Sequence, residues 1–147
     1  MALDRDLLIA FGNPLRSDDG IAWRVAEEIR RTAPAVAILR VHQLTPELAE
    51  DVSRAGNIIF IDAARDGEPG EVRFNTVAAD ATSLHFSHSL EPPHVLAICK
   101  QLYGAGPRGF LISIAGECFD HGEAPSVSAI NALPRAVAMV KELLLQT

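Results

Sequence analysis

The sequence predicts an α/β fold with a mostly parallel sheet sandwiched between helices. Short apolar runs, which suit strands buried on both faces, alternate along the chain with amphipathic segments of helical period. No linker and no internal repeat interrupts this alternation, so all 147 residues, 1–147, are predicted to form one domain.

The first half of the chain is predicted to contain two strands and two helices. Residues 7–11 (LLIAF) form a continuous apolar run, and 37–41 form a second strand candidate. Between them, from Gly20, apolar residues recur at helical spacing, with Trp23 at the edge of the apolar face, where partial exposure is expected. Thr45-Pro46 is typical of an N-cap followed by a first helical residue, which predicts a helix running to about Arg54.

The second half continues the same alternation. Residues 58–61 (IIFI) are predicted to be a buried strand, and 71–75 an edge strand after the turn sequence GEPG. A helix is predicted over 93–103, ending at Gly104, followed by a last strand over 109–114. The remaining stretch, 126–145, is helical by composition, but Pro134 is expected to divide it into two helices.

Composition and charge exclude several classes of protein. With 48% hydrophobic and 22% charged residues, the chain is not intrinsically disordered. It has no apolar run approaching the ~18 residues that cross a bilayer, so no membrane association is predicted. A net charge of −6 without a Lys/Arg cluster argues against nucleic-acid binding. Two cysteines cannot form a disulfide framework, and the amino terminus lacks a secretory cleavage site, so a cytoplasmic location is predicted.

The loop GNPLRSDDG, residues 12–20, is the richest candidate for a functional site. It follows the first strand, and ligands of open parallel sheets bind beyond the carboxyl ends of the strands. Asp18 is expected to serve as the N-cap of the next helix, where a carboxylate favours the positive end of the helix dipole. A cap needs only one acid, so we expect Asp19 to have a functional role.

Asp62 follows the buried run 58–61 and should therefore lie at the same edge of the sheet as Asp19. A structural carboxylate that bonds nearby backbone amides is the alternative. Two carboxylates and an imidazole from the segment His85-Phe86-Ser87-His88 would suit a borderline divalent ion such as Zn, Ni or Mn and would leave positions open for water or substrate. Among the other histidines, His42 and His121 have no paired partner nearby in the sequence.

The ordered set of motifs resembles the hydrogenase maturation proteases. GNPLRSDDG resembles their signature GN-x-L-x-x-D-(D/E)-G, and the likeness continues through HQLTPELAEDV, FIDAARDGEPGEV, HSLEPPHVLAI and ISIAGECFDHGEAPSVSAINALPRAV. It therefore covers nearly the whole chain. This sequence departs from the family pattern where Ser17 replaces a commoner glycine, and Asp19 is a shorter acid than the glutamate of some members.

The resemblance implies a fold, a site and an activity. The fold is a three-layer α/β structure with a twisted, mixed and mostly parallel sheet flanked by helices on both faces. Asp19, Asp62 and His88 would contact a metal ion and take part in catalysis. The activity is removal of the carboxy-terminal extension from the large-subunit precursor of a nickel–iron hydrogenase after nickel insertion. The nickel would be contacted in the substrate, and no tightly bound metal is expected in the enzyme.

The residues leave two rival functions and two mechanisms open. The rivals are a metal-dependent peptidase or amidohydrolase that holds its own metal, and a non-catalytic chaperone of a metal centre. For peptide cleavage, the attacking water would be activated either by the metal or by Asp19 or Asp62 acting as a general base.

Overall fold

Five strands form one sheet in the computed structural model, which describes residues 5–82, 90–104, 106–122 and 124–145. A short 3-10 turn, Ser17–Gly20, precedes the first α-helix. The elements in chain order are β1 Arg5–Phe11, α1 Ile21–Thr32, β2 Ala37–Val41, α2 Leu48–Ser53, β3 Ala55–Ala64, β4 Val72–Val77, α3 Pro92–Tyr103, β5 Arg108–Ala115 and α4 Val127–Leu145.

The strand order across the sheet is β2-β1-β3-β5-β4. β1 pairs in parallel with both β2 and β3, and β3 pairs in parallel with β5. Only β4 is antiparallel, and it lies at the edge beside β5, as its alternating sequence predicted. The chain runs from β1 outward to β2 and then returns to place β3 on the other side of β1. This reversal leaves a crevice at the carboxyl ends of β1 and β3, where ligands bind in such sheets.

Helices cover both faces of the sheet, which confirms the predicted fold class. Alternate residues of the central strands belong to two separate hydrophobic cores. One core joins Leu8, Ile59 and Ile112 with buried residues of α1 and α4. The other joins Ile9, Ile58 and Phe60 with buried residues of α2 and α3. Burial on both faces explains why these strands are continuous apolar runs rather than alternating ones.

The expectation that Pro134 divides the last helix is wrong, because α4 continues unbroken from Val127 to Leu145. Proline removes one helical hydrogen bond and crowds the preceding turn, at a cost of about 3 kcal/mol. Pro134 lies on the exposed side, where water can solvate the carbonyl that loses its partner. Ala132 and Ala136, on either side of Pro134 in the sequence, are buried in the core, and this packing keeps both halves on one axis.

Two other boundaries differ from the prediction. α2 begins at Leu48 rather than at Pro46, because Thr45 forms a turn in which its carbonyl accepts a hydrogen bond from the Leu48 amide. Leu44, which precedes this turn, is buried and forms an isolated antiparallel β-bridge with Leu90. β3 is longer than the apolar run 58–61, since its last residues continue to pair with β5.

No helix in the described part of the chain combines the length and the apolar character needed to span a membrane.

Candidate active site

Asp19 and Asp62 line one cavity of about 160 Å³ at the carboxyl ends of β1 and β3. We call it the carboxylate cavity. The predicted meeting of the two acids at this edge of the sheet therefore occurs in the structure. The full lining consists of Phe11, Gly12, Asp19, His42, Gln43, Leu44, Asp62, Ala63 and Leu90.

The tight path of the first loop positions Asp19. The Asn13 amide donates a hydrogen bond of 2.8 Å to Oδ2 of Asp19, which folds the loop back onto its own carboxylate. Gly12 has a φ of +147°, and a Cβ there would lie 2.0 Å from the Asp19 carbonyl oxygen. Only glycine fits at that position, because both the backbone conformation and the close approach exclude a side chain.

Asp18 does not cap α1, contrary to the sequence-based expectation. Gly20 is the N-cap of α1, and no side chain bonds to the free amides there. The carboxylate of Asp18 is instead completely buried and accepts hydrogen bonds from the segment that follows β5. Its donors are the amides of Glu117 (2.7 Å), Cys118 (3.1 Å) and Ser126 (2.6 Å) and the Ser126 hydroxyl (2.7 Å).

These bonds keep Asp18 ionised and lock two distant loops together. Burial alone would raise the pKa of the Asp18 carboxyl, but the amides of Glu117, Ser126 and Cys118 and the Ser126 hydroxyl outweigh it, and the pKa falls below its usual value. Asp18 thus ties the 12–20 loop to the segment 117–126. Because Asp19 is the next residue, the same bonds fix the backbone that carries it.

Ser17 strengthens this junction. Its φ of 50° lies in the left-handed region, where a glycine would carry less backbone strain than a serine. The serine hydroxyl compensates by donating a hydrogen bond of 2.9 Å to the Asp120 carbonyl, and its amide donates to the Gly122 carbonyl.

Asp62 lies within β3 rather than after its end. It is in register with Ser113 of β5, whose hydroxyl donates a hydrogen bond of 2.9 Å to Oδ1 of Asp62. Burial raises the pKa of Asp62 to about 6, and the nearby charges of Asp19 and Glu91 act in the same direction. The Ser113 hydroxyl and the charge of Arg73 oppose that rise. A carboxyl with a pKa near neutrality is suited to proton transfer at physiological pH.

The structure describes three of the five histidines, His42, His94 and His121. His85 and His88 lie outside the described residues, so the role of His88 stays a prediction. His94 belongs to the capping box of α3, where its Nδ1 accepts a hydrogen bond from the Glu91 amide. His42 lines the carboxylate cavity although its sequence neighbours gave no sign of a site. The available signal was its place directly after β2, which ends at the same edge of the sheet as β1.

The described side chains of the carboxylate cavity offer few ligands for a metal ion. Among residues 5–82, 90–104, 106–122 and 124–145, no group of three or more His, Cys, Asp or Glu side chains could hold a metal ion. Asp19 and Asp62 offer oxygen donors, which suit a divalent ion of borderline character only when other ligands complete the coordination. The third predicted donor, His88, is outside these residues.

Comparison with solved structures shows the same fold in hydrogenase maturation proteases. HybD from E. coli superimposes with a TM-score of 0.78 at 20% sequence identity, covering 97% of this chain and 93% of that one. The NiFe hydrogenase maturation protease HybD from Thermococcus kodakarensis gives a TM-score of 0.74 at 20% identity, covering 95% and 98%. HycI from T. kodakarensis KOD1 gives 0.73 at 24% identity, covering 95% and 92%.

No protein-family model matches the chain, and no curated protein sequence matches it significantly. The structural likeness extends over nearly the full length of both chains and confirms the fold that the motifs imply.

Proposed function

We propose that this protein is an endopeptidase that removes the carboxy-terminal extension from a nickel-loaded hydrogenase large-subunit precursor. One observation carries the proposal: Asp19 and Asp62 line a single cavity at the reversal point of the sheet, in the fold of proteases named for hydrogenase maturation. The motif order that carries the family resemblance supports the same activity.

The two carboxylates have distinct parts in this mechanism. Asp62, with its pKa raised to about 6, is ionised at neutral pH yet basic enough to accept a proton from an attacking water. Asp19, held by the Asn13 amide, presents a second carboxylate to the same cavity. A nickel ion carried by the substrate would polarise the scissile carbonyl or lower the pKa of the attacking water. Both routes use the same residues, so the proposal does not depend on the choice between them.

We further propose that Asp19, Asp62 and His88 contact nickel in the substrate rather than a metal of the enzyme's own. Sites that bind a free borderline ion tightly recruit several imidazoles or thiolates. Two carboxylates and one imidazole would bind an ion tightly only when ligands of the substrate complete its coordination. The enzyme would then recognise that metal insertion is complete. The proposed partner is the precursor, and the proposed location is the cytoplasm.

The decisive experiment is the intact mass of the precursor before and after incubation with the protein. We expect the nickel-loaded precursor to lose a single carboxy-terminal fragment and the metal-free precursor to stay intact. Asp19→Ala and Asp62→Ala should each abolish cleavage while the proteins remain folded. An unchanged precursor mass with wild-type protein would reject the endopeptidase proposal and favour a non-catalytic role.

A further inference from the structure

Neighbouring side chains hold the imidazole of His42 in place although it lies at the surface. The indole ring of Trp23 packs against its imidazole, with ring centroids 5.4 Å apart and planes tilted by 57°. The Arg40 guanidinium lies 5.7 Å from the centroid of the same indole. Such aromatic and cation–π contacts hold side chains in defined orientations. His42 is nevertheless exposed, so this packing orients it without burying it.

The backbone that carries His42 is fixed as well. The carbonyl oxygen of Val41 accepts two hydrogen bonds of 3.1 Å, one from the Trp23 indole N–H and one from the Gly12 amide. Gly12 belongs to the loop that carries Asp19. The end of β2 is therefore tied directly to that loop, and the position of His42 is defined relative to Asp19.

His42 faces the carboxylate cavity without completing a metal site there. It lines the cavity together with Asp19 and Asp62, yet these three do not form a group able to hold an ion within the part of the chain that the structure describes. The rest of the lining is apolar except for Gln43, which is typical of a site where a few polar groups orient a bound chain. At about 160 Å³ the cavity is smaller than a pocket that encloses a drug-sized ligand, so it takes in a single residue of an extended peptide rather than a folded element.

We infer that His42 is a substrate-binding residue whose imidazole hydrogen-bonds the peptide next to the scissile bond, while Asp19 and Asp62 face the metal and the reacting atoms. This inference rests on the proposed function. Trp23 is the positioning residue of this pair, since it acts on the substrate only through His42.

The test compares His42→Ala and His42→Gln with wild type in cleavage of the nickel-loaded precursor. His121→Ala is the matched control, because His121 is exposed and does not line the cavity. We expect His42→Ala to raise KM on the order of tenfold, as the loss of one hydrogen bond would, and to leave kcat within about twofold. His42→Gln should recover part of the lost affinity, because an amide can also hydrogen-bond a peptide.

Two further measurements separate this role from a structural or metal-binding one. Thermal unfolding and calorimetric titration with Ni²⁺ alone should be the same for His42→Ala and wild type. If His42→Ala lowers both the affinity for Ni²⁺ and kcat, the inference is wrong and His42 is a metal ligand. An unchanged KM would overturn it too. If wild-type protein leaves the precursor uncut, the proposed function fails, whereas normal cleavage by His42→Ala rejects only the role of His42.

Trp23→Phe tests the positioning step, since it keeps an aromatic ring but removes the hydrogen bond to Val41. We expect a smaller rise in KM than for His42→Ala. In the double variant, Trp23→Phe should add nothing, because the imidazole that it orients is gone. Additive effects on KM would show that Trp23 acts independently of His42 and would contradict its positioning role.

Discussion

Adjacent residues acquire opposite roles in the first loop. Asp18 is completely buried, and its carboxylate accepts four hydrogen bonds. Asp19 is only partly buried and lines the carboxylate cavity. Both are aspartates of the same DDG sequence, so composition does not distinguish them. Their separation depends on the 3-10 turn, which directs one side chain toward the 117–126 segment and the other toward the cavity.

Asp18→Asn should destabilise the protein. An amide keeps the volume but loses the charge and turns donors toward the amides of Glu117, Cys118 and Ser126. We expect a loss of about 2–4 kcal/mol in the free energy of unfolding, measured by urea denaturation at pH 7. Because the pKa of Asp18 is lowered in the folded state, this stabilisation is present above the pKa of the unfolded chain and is lost as the pH falls through the folded value.

An Asp18→Asn variant as stable as wild type would contradict this account. Asp19→Asn is the matched control, because within the described part of the chain its carboxylate accepts one hydrogen bond, from the Asn13 amide, rather than four. It should lower stability by no more than about 1 kcal/mol.

Asp62→Asn, unlike Asp18→Asn, should stabilise the protein at neutral pH. The pKa of Asp62 rises from 3.8 to about 6 on folding, so ionisation of this carboxyl opposes folding. The penalty is absent below pH 4, grows as the pH rises to 6 and is complete above it, where it amounts to about 2–3 kcal/mol. We therefore expect the stability of Asp62→Asn relative to wild type to increase between pH 4 and pH 8, as measured by denaturant unfolding.

The same pKa predicts the pH dependence of cleavage. If ionised Asp62 acts as the base or contacts the metal, kcat/KM of the wild type should rise with pH through about 6 and then level off. A relative stability of Asp62→Asn that stays constant with pH would show that Asp62 titrates normally. That result would remove the physical basis for assigning it the proton transfer.

At the scale of elements, α4 shows packing prevailing over local preference. The helix passes through Pro134 because its buried face, including Ala136 and Val140, docks onto the sheet on the same side as α1. The hydrogen bond that Pro134 cannot donate would have gone to the carbonyl four residues earlier. The helix tolerates this loss on its solvent side.

Pro134→Ala should stabilise the protein, because it restores that hydrogen bond and relieves the crowding in the preceding turn. Part of the gain is lost, since alanine makes the unfolded chain more flexible, so we expect a net increase of about 1–2 kcal/mol in urea denaturation. Arg135→Ala, at the exposed neighbouring position, should change stability by less than about 0.5 kcal/mol. A destabilised Pro134→Ala would mean that the proline imposes a helix geometry that the core requires.

At the scale of the whole molecule, strand order creates the site. Because β3 lies on the opposite side of β1 from β2, the carboxyl ends of three strands meet at the carboxylate cavity: Asp19 follows β1, His42 follows β2, and Asp62 belongs to β3. The 117–126 segment after β5 supports the first of these loops through Asp18. Residues more than forty positions apart thus form one site.

The proposed function also predicts how the whole protein responds to metal removal. We expect purified protein to contain little metal and to keep its activity and its unfolding midpoint after brief chelation and dialysis. Only removal of nickel from the precursor should stop cleavage, because the ion belongs to the substrate. Stoichiometric zinc or nickel in the purified protein, with activity lost on chelation, would instead favour the rival peptidase that holds its own metal.

The sequence by itself determined the α/β class, the order of the elements and the edge of the sheet where chemistry is expected. These properties depend on hydrophobic period and turn residues, which are local and can be seen in a single chain. The pattern located every strand to within a few residues, and it identified Asp19 and Asp62 as the acids at that edge. It failed where a local preference competed with packing, as at Pro134 and at the start of α2.

Only the tertiary structure decided which distant groups meet. Asp18 had the sequence context of a helix cap and became the buried link to the 117–126 segment, while His42 had no partner nearby in the sequence and lines the carboxylate cavity. Both outcomes depend on strand order and on the bonds between separate loops. These are set by the packing of two cores against one sheet, and a local pattern does not encode them.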